Sequence, residues 1–283
     1  MSFRDILLLL DERDASEGRL DFAARLAQRH DAHLSGACLI DPFVSPHLRS
    51  GIGLYGGEAL ARELDLEFKE RVITKVAGLQ AQFQDALRRE GLNGEWHGLV
   101  GSGDINLTGL VRTSDIAIFG QVDPKEADRQ PNWELIESTL LNGGRPILLV
   151  PCTGAPSNFG EAVLIAWNGS REAARAANDA LPLLQHAKSV TVFTVSVPDV
   201  PAEYIPGADM AVHLARHDVA VTTKQIVSAG LEVSDLLLEY AAENGIDCIV
   251  AGGYGHSRVR ELILGGATRG LLRHMTVPVL LSN

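Results

Sequence analysis

The chain has 283 residues, 46% hydrophobic and 22% charged, with a formal net charge of -11 at pH 7. That length predicts about two domains with enough apolar residues to bury a core, and the acidic balance argues against a broad nucleic-acid-binding surface, which needs clustered Lys and Arg. Cys38, Cys152 and Cys248 lie far apart and form no CxxC pair, so neither a disulfide framework nor a cysteine zinc site is expected, and a cytoplasmic setting fits best.

The opening MSFRDILLLLDERD has five apolar residues in a row before charge returns. That run is too short for a secretory leader, and no later stretch approaches the roughly 20 apolar residues of a membrane span. A soluble, cytoplasmic protein with no membrane partner is expected. DILLLLDERDASEGRLDFAARLAQRHDAHLSGACLI then reads as strand, polar turn, Ala-rich helix and second strand, with Asp11 just past the first strand. Residues 41–60, DPFVSPHLRSGIGLYGGEAL, are rich in Gly and Pro and lack periodicity. One long helix follows over 57–90, its apolar positions packing one face on a sheet rather than forming a coiled coil. RPILLVP (145–151) closes this half as a strand, and PCTGAPSNFG (151–160) has the composition of a linker.

At Ala162 the pattern is written again, in AVLIAWNGSREAARAANDALPLLQHAKSVTVFTVSV. Asn168 stands 157 residues after Asp11 in the same register, and Pro278 of VPVLLSN stands 132 residues after Pro146. The offsets differ by 25 residues, and we expect the extra sequence of the first copy at 41–60. Strands are predicted near 162–167, 189–196, 219–226, 246–251 and 277–282, with helices near 171–186, 207–216, 231–244 and 266–274. Continuous apolar runs such as DCIVAG and VPVLLS suit strands covered on both faces, and alternating βα units suit a parallel, doubly wound sheet. The expected architecture is α/β: two doubly wound five-stranded parallel-sheet domains in tandem, residues 1–151 and 161–283, joined by 152–160 and packed as an intrachain pseudo-dimer. Whether two chains also form a homodimer is left open.

In such sheets ligands bind beyond the carboxyl ends of the strands, where Asn168 and the stretch AGGYGHSRVRELILGGATRG (251–270) both fall. Gly252 and Gly255 directly follow strand four, and their lack of a Cβ lets a ligand approach the main chain. Gly265 and Gly266 open a helix whose free N–H groups and dipole favour an anion, and Thr268 adds a hydroxyl in its first turn. Alone, such glycines equally well shape the turns of a long connection. The stretch is neither a Walker A motif nor a dinucleotide G-x-G-x-x-G after the first strand.

GGYGHSRVRELILGG resembles the universal stress protein signature G-x2-G-x9-G-[ST], and the two copies together resemble a tandem universal stress protein over essentially the whole chain. The resemblance implies an adenine nucleotide alpha hydrolase-like fold in each half and ATP binding in the second. It also implies a stress-response role exerted through nucleotide-dependent stability or partner choice. The nucleotide-binding residues it implies are Ala166, Asn168, Gly252, Gly255, Gly265, Gly266, Ala267 and Thr268. No catalytic residue is implied, and any ATP turnover would be slow, with Mg²⁺ across the phosphates. Two positions depart from the family pattern: Gly266 replaces Ser or Thr, and Asn168 replaces the usual Asp. The first half departs further, since Trp133 and Glu134 fall where the second half has Gly265 and Gly266. A ring and a carboxylate there exclude phosphate, so the first half is not expected to bind ATP. Gly143 and Gly144 read as a helix end instead. AMP or another adenosine compound, a nucleotide-free interaction module and a metal-dependent hydrolase remain open alternatives.

Other candidates are weaker. His213 and His217 share a helix face, with Asp209 or Asp218 as a third ligand for zinc, but surface histidines are the favoured reading. Ser170 or Ser257 with His256 lacks the G-x-S-x-G elbow of a hydrolase. Arg258 and Arg260 read as solvated charges, and Cys248 as a packing residue of its strand.

Overall fold

A computed structural model of the chain describes residues 2–11, 15–40, 58–100, 103–122, 131–196, 207–228, 230–253 and 266–283. The first half contains β1 (Asp5–Leu10), α1 (Ala15–His30), β2 (His33–Ile40), α2 (Glu58–Glu90), β3 (Gly94–Val100), α3 (Gly103–Thr113), β4 (Ile116–Gly120), α4 (Pro131–Gly143) and β5 (Ile147–Val150). The second contains β6 (Ala162–Ala166), α5 (Arg171–Asp179), α6 (Leu181–Leu184), β7 (Ser189–Ser196), α7 (Ala208–Ala215), β8 (Val221–Val227), α8 (Val233–Glu243), β9 (Cys248–Gly252), α9 (Gly266–His274) and β10 (Val279–Ser282). No helix among the described residues is long and apolar enough to cross a membrane.

All ten strands join one sheet in the order β3-β2-β1-β4-β5-β10-β9-β6-β7-β8. Each half therefore repeats one strand order, with its first strand between its second and fourth, which is the α/β doubling the repeat predicts. Neighbouring strands run parallel within each half, and β5 meets β10 antiparallel. The register of that seam is informative: Leu148 pairs with Leu280, and these residues are 132 apart, the offset that relates the two copies. Equivalent residues thus face each other across a local two-fold axis. Ile147, Leu148, Val150, Val279, Leu280 and Leu281 are all at most 2% exposed. Burial of such side chains stabilises by roughly 1.5–3 kcal/mol each, so the seam is core rather than a loose contact.

Helices cover both faces. α1, α2, α5, α6 and α7 pack on one, through residues such as Leu26, Phe83, Ala176, Leu184 and Leu214. α3, α4, α8 and α9 pack on the other, through Leu107, Ile136, Leu237 and Leu271. Adjacent residues of one strand serve opposite layers, as with Leu8 and Leu7 of β1.

Two expectations need correction. The larger part of the extra sequence in the first copy lies in α2, which has 33 residues where its counterpart α7 has 8; residues 41–57 themselves lie outside the described set. The helix expected over 171–186 is broken into α5 and α6. Pro182, in the first turn of α6, has no N–H to continue the ladder and its ring opposes the carbonyl four residues back.

Each half is clamped at the start of its first strand by a carboxylate just before its fourth. Asp115 Oδ2 accepts from the N–H groups of Arg4 and Asp5 at 2.7 and 3.1 Å. Its counterpart Asp247 accepts from Gly160, Glu161 and Ala162 at 2.7, 3.0 and 3.0 Å. Asp247 is buried, and burial pushes its carboxyl above the ordinary range while the three N–H groups pull it back. The halves also meet where α1 ends. Arg29 donates to the carbonyls of Phe159 and His186, and the buried His30 ring lies 5.7 Å from that of His186.

Asp247→Ala strands three backbone donors and is expected to cost about 3 kcal/mol in urea unfolding, with Asp115→Ala costing less. A second expectation concerns acid. Burial first, then His186 and Arg29, holds the His30 imidazole down at about 4, against 6.5 when free. Between those values the unfolded chain binds a proton that the folded chain excludes. The stability is therefore complete above about pH 6.5 and falls toward pH 4, by roughly 3 kcal/mol at most. Unfolding curves across that window should show the loss in the native chain and a flatter profile in His30→Leu.

Candidate functional site

The carboxyl ends of β6, β7 and β9 and the starts of α8 and α9 enclose a cavity of about 460 Å³. Its position follows from the strand order: β6 and β9 are neighbours whose helices leave on opposite faces, and the crevice opens between them. The floor is apolar. Phe193 and Val195 of β7 reach the same face because they are two residues apart, and Leu237 of α8 and Leu271 of α9 close it from above. The Phe193 ring is braced by Tyr240 at 4.9 Å. The polar groups are few: Asn168, Ser170 and Thr268. No Asp, Glu, Lys or Arg is among the described lining residues.

Local hydrogen bonds shape the β6 end. Asn168 Oδ1 accepts from Ser170 N–H at 3.0 Å, and Ser170 Oγ in turn accepts from Ala173 N–H at 3.1 Å, capping α5. Ser170 is therefore a capping residue, and nothing in its bonding suits a nucleophile. At the end of β9, a Cβ on Gly252 would come within 2.5 Å of the Ala173 nitrogen. Glycine is needed there because the first turn of α5 packs directly on the strand. α9 begins at Gly266, so Ala267 and Thr268 stand in its first turn with that turn's free N–H groups.

Of the residues expected from sequence, Ala166, Asn168, Gly252, Ala267 and Thr268 line this one cavity. Gly266 is the first residue of α9. Gly255 and Gly265 lie outside the described residues, as do His256, Ser257, Arg258 and Arg260. Phe193, Val195, Leu237 and Leu271 were not anticipated. Their apolar character marks them only as core; the i, i+2 spacing of Phe193 and Val195 at a strand end was the available signal.

His213 and His217 do approach each other, with ring centroids 4.7 Å apart, and His213 Nε2 lies 3.2 Å from Asn178 Oδ1. Among the described residues no group of three or more His, Cys, Asp or Glu is arranged for a metal ion. Cys248 is fully buried, and burial, then the charge of Asp247, pushes its thiol up, away from reactivity.

At the ends of β1 and β4 in the first half, Asp11, Arg19, Gly120 and Gln121 line a space of about 10 Å³. Arg19 of α1 pairs with Asp11 at 2.9 Å and lays its guanidinium against Gly120, the counterpart of Gly252. The second half has Ala176 at the place of Arg19, 157 residues on. Trp133, at the place of Gly265, is partly buried against the layer that includes α3 and α4. Gln121 adds a link between halves: its buried amide donates to the carbonyls of Leu272 and Arg273 at the end of α9, at 3.0 and 3.1 Å. Its oxygen accepts from the linker Cys152 N–H at 3.0 Å.

The structure is a doubled α/β sheet with an open crevice at the strand ends of its second half. Residues 161–283 match the model of the Universal stress protein family, and this part of the chain is a universal stress protein domain. The Universal stress protein Slr1230 of Synechocystis sp. (strain ATCC 27184 / PCC 6803 / Kazusa) is 24% identical, over 98% of this chain and 99% of its own. Among solved structures, a universal stress protein from Archaeoglobus fulgidus DSM 4304 superposes with a TM-score of 0.67 at 16% identity, covering 99% of this chain and 96% of the other. A functionally unknown protein, PA1789 from Pseudomonas aeruginosa PAO1, gives 0.57 at 14% identity, with 99% and 92% covered. These likenesses establish the mostly parallel α/β fold across nearly the full length.

Arg19→Ala should leave a hole over Gly120 and remove the ion-pair partner of a half-buried Asp11. A loss of about 2 kcal/mol in denaturant unfolding is expected. An unchanged midpoint would mean that the Arg19–Asp11 pair does not stabilise the fold.

Proposed function

We propose that the second half binds an adenine nucleotide, ATP in the first instance, in the cavity at the ends of β6, β7 and β9. The observation that carries this reading is the convergence of Ala166, Asn168, Gly252, Ala267 and Thr268, from three separate segments, on one cavity with an apolar floor. The floor of Phe193, Val195 and Leu237 suits a flat, apolar base. The first turn of α9, with Thr268 and unpaired N–H groups, suits phosphate. The glycines of the G-x2-G-x9-G stretch complete the cradle in this reading. The described lining residues offer hydroxyls and main chain but no carboxylate, so in this reading Mg²⁺ arrives on the phosphates.

In the same reading, residues 1–151 and 161–283 are two domains of an intrachain pseudo-dimer, and the first is a structural partner. No general base or nucleophile is among the described lining residues, and in this reading the protein acts by binding, with ATP turnover slow at most. Occupancy stabilises the second half and alters partner choice in a cytoplasmic stress response.

Isothermal titration of ATP into the full chain tests the core of this proposal, with a saturable heat expected at or below millimolar ATP. Ala267→Glu places a carboxylate in the first turn of α9, where the helix tolerates it but phosphate does not. Affinity should fall about tenfold or more with the melting temperature retained. An unchanged Kd would remove the phosphates from α9, and no heat with the native chain would favour a nucleotide-free interaction module.

A further inference from the structure

Strand order divides the cavity among the parts of a nucleotide. β7 carries the apolar floor, β9 and α9 carry Gly252 and Thr268, and β6 lies between β7 and β9. A ligand with its base on β7 and its 5′-phosphates at α9 has its sugar over the end of β6, where Asn168 stands. Local geometry decides what Asn168 offers. Its Oδ1 accepts from Ser170 N–H at 3.0 Å, which sets the amide orientation, because only the oxygen can accept. The Nδ2 group, with two N–H donors, has no hydrogen-bond partner among the described residues, on an exposed residue lining the cavity.

A carboxylate in this turn would keep the Ser170 bond with one oxygen and present a second, anionic oxygen to the sugar. That oxygen would accept from free hydroxyls and repel phosphate. Asparagine inverts the polarity: its donors favour an anionic oxygen, and no Asp or Glu among the described lining residues opposes one. Resting on the adenine-nucleotide reading, we propose that Asn168 selects adenine nucleotides phosphorylated on the sugar, at the 3′ or 2′ position in addition to 5′, over those with a free ribose diol.

The test is calorimetric titration of adenosine 3′,5′-bisphosphate, adenosine 2′,5′-bisphosphate and AMP into the full native chain and into Asn168→Asp. Aspartate keeps the acceptor for Ser170 N–H, so the turn is retained. The readout is a ratio of affinities measured on one sample, which a partly folded preparation does not bias. At least one bisphosphate should bind the native chain about tenfold more tightly than AMP, and Asn168→Asp should bring that ratio to one or below; the two bisphosphate arms identify the hydroxyl concerned. A native ratio near one, or a ratio unchanged in Asn168→Asp, overturns the selection and leaves nucleotide binding standing. Silence from all three at millimolar concentration also overturns it. ATP in the same cell then decides the wider reading: heat from ATP retains it, and silence removes it.

Discussion

The antiparallel pairing of β5 with β10 is the constraint on which the rest of the architecture depends. Each half alone would leave the edge lined by Ile147–Val150 or by Val279–Ser282 open, with unpaired backbone groups beside side chains that are apolar except for Ser282. Pairing them satisfies both edges at once and buries both rows. Because Leu148 faces Leu280 at the repeat offset, the seam also places every other element of one half symmetrically against the other. The outer layers then follow, with α4 and α9 flanking the axis on one face and α1 meeting the linker on the other.

That symmetry makes the differences between the halves legible as chemistry. At the place where the first half puts Arg19, the second puts Ala176, and where the first puts Gln121, the second puts Gly253. Arg19 lies against Gly120 and Gln121 reaches over to α9, contacts that the shorter Ala176 and Gly253 cannot make. Gln121 is doubly placed, since it caps the end of the helix whose start borders the open cavity. The helix that borders the candidate site is thus held at its far end by the other half.

The clamps at the strand starts illustrate a second economy. Asp115 and Asp247 perform the same task 132 residues apart, yet Asp247 is the more deeply buried and serves the linker residue Gly160 as well as β6. The linker is therefore anchored rather than merely connective. Gly160 is held by Asp247, Phe159 packs edge-on against Phe22, and the Phe159 carbonyl takes Arg29. An acidic residue in the sequence IDC would be expected on the surface; its burial is explained only by the three donors that the return of the chain brings to it.

Repetition, strand periodicity and the glycine stretch were all readable from residue order, because they depend on neighbours a few positions apart. The doubled α/β class, the boundaries of β7 and α9, and the placing of Asn168 and Gly252 at strand ends were legible for that reason. The join of the two sheets through β5 and β10, the Arg19–Gly120 contact, the Gln121 bridge and the apolar floor of Phe193, Val195, Leu237 and Leu271 were not. Each is a meeting of residues far apart in the chain, and a single apolar or charged residue looks the same in sequence whether it packs in a core, meets a distant strand or floors a cavity. The length of α2 against α7 shows the same limit from the other side: composition located an insertion, but only packing against the sheet decided how much of it would be helix. Local pattern determined which elements form, and long-range contact decided which residues meet around the cavity.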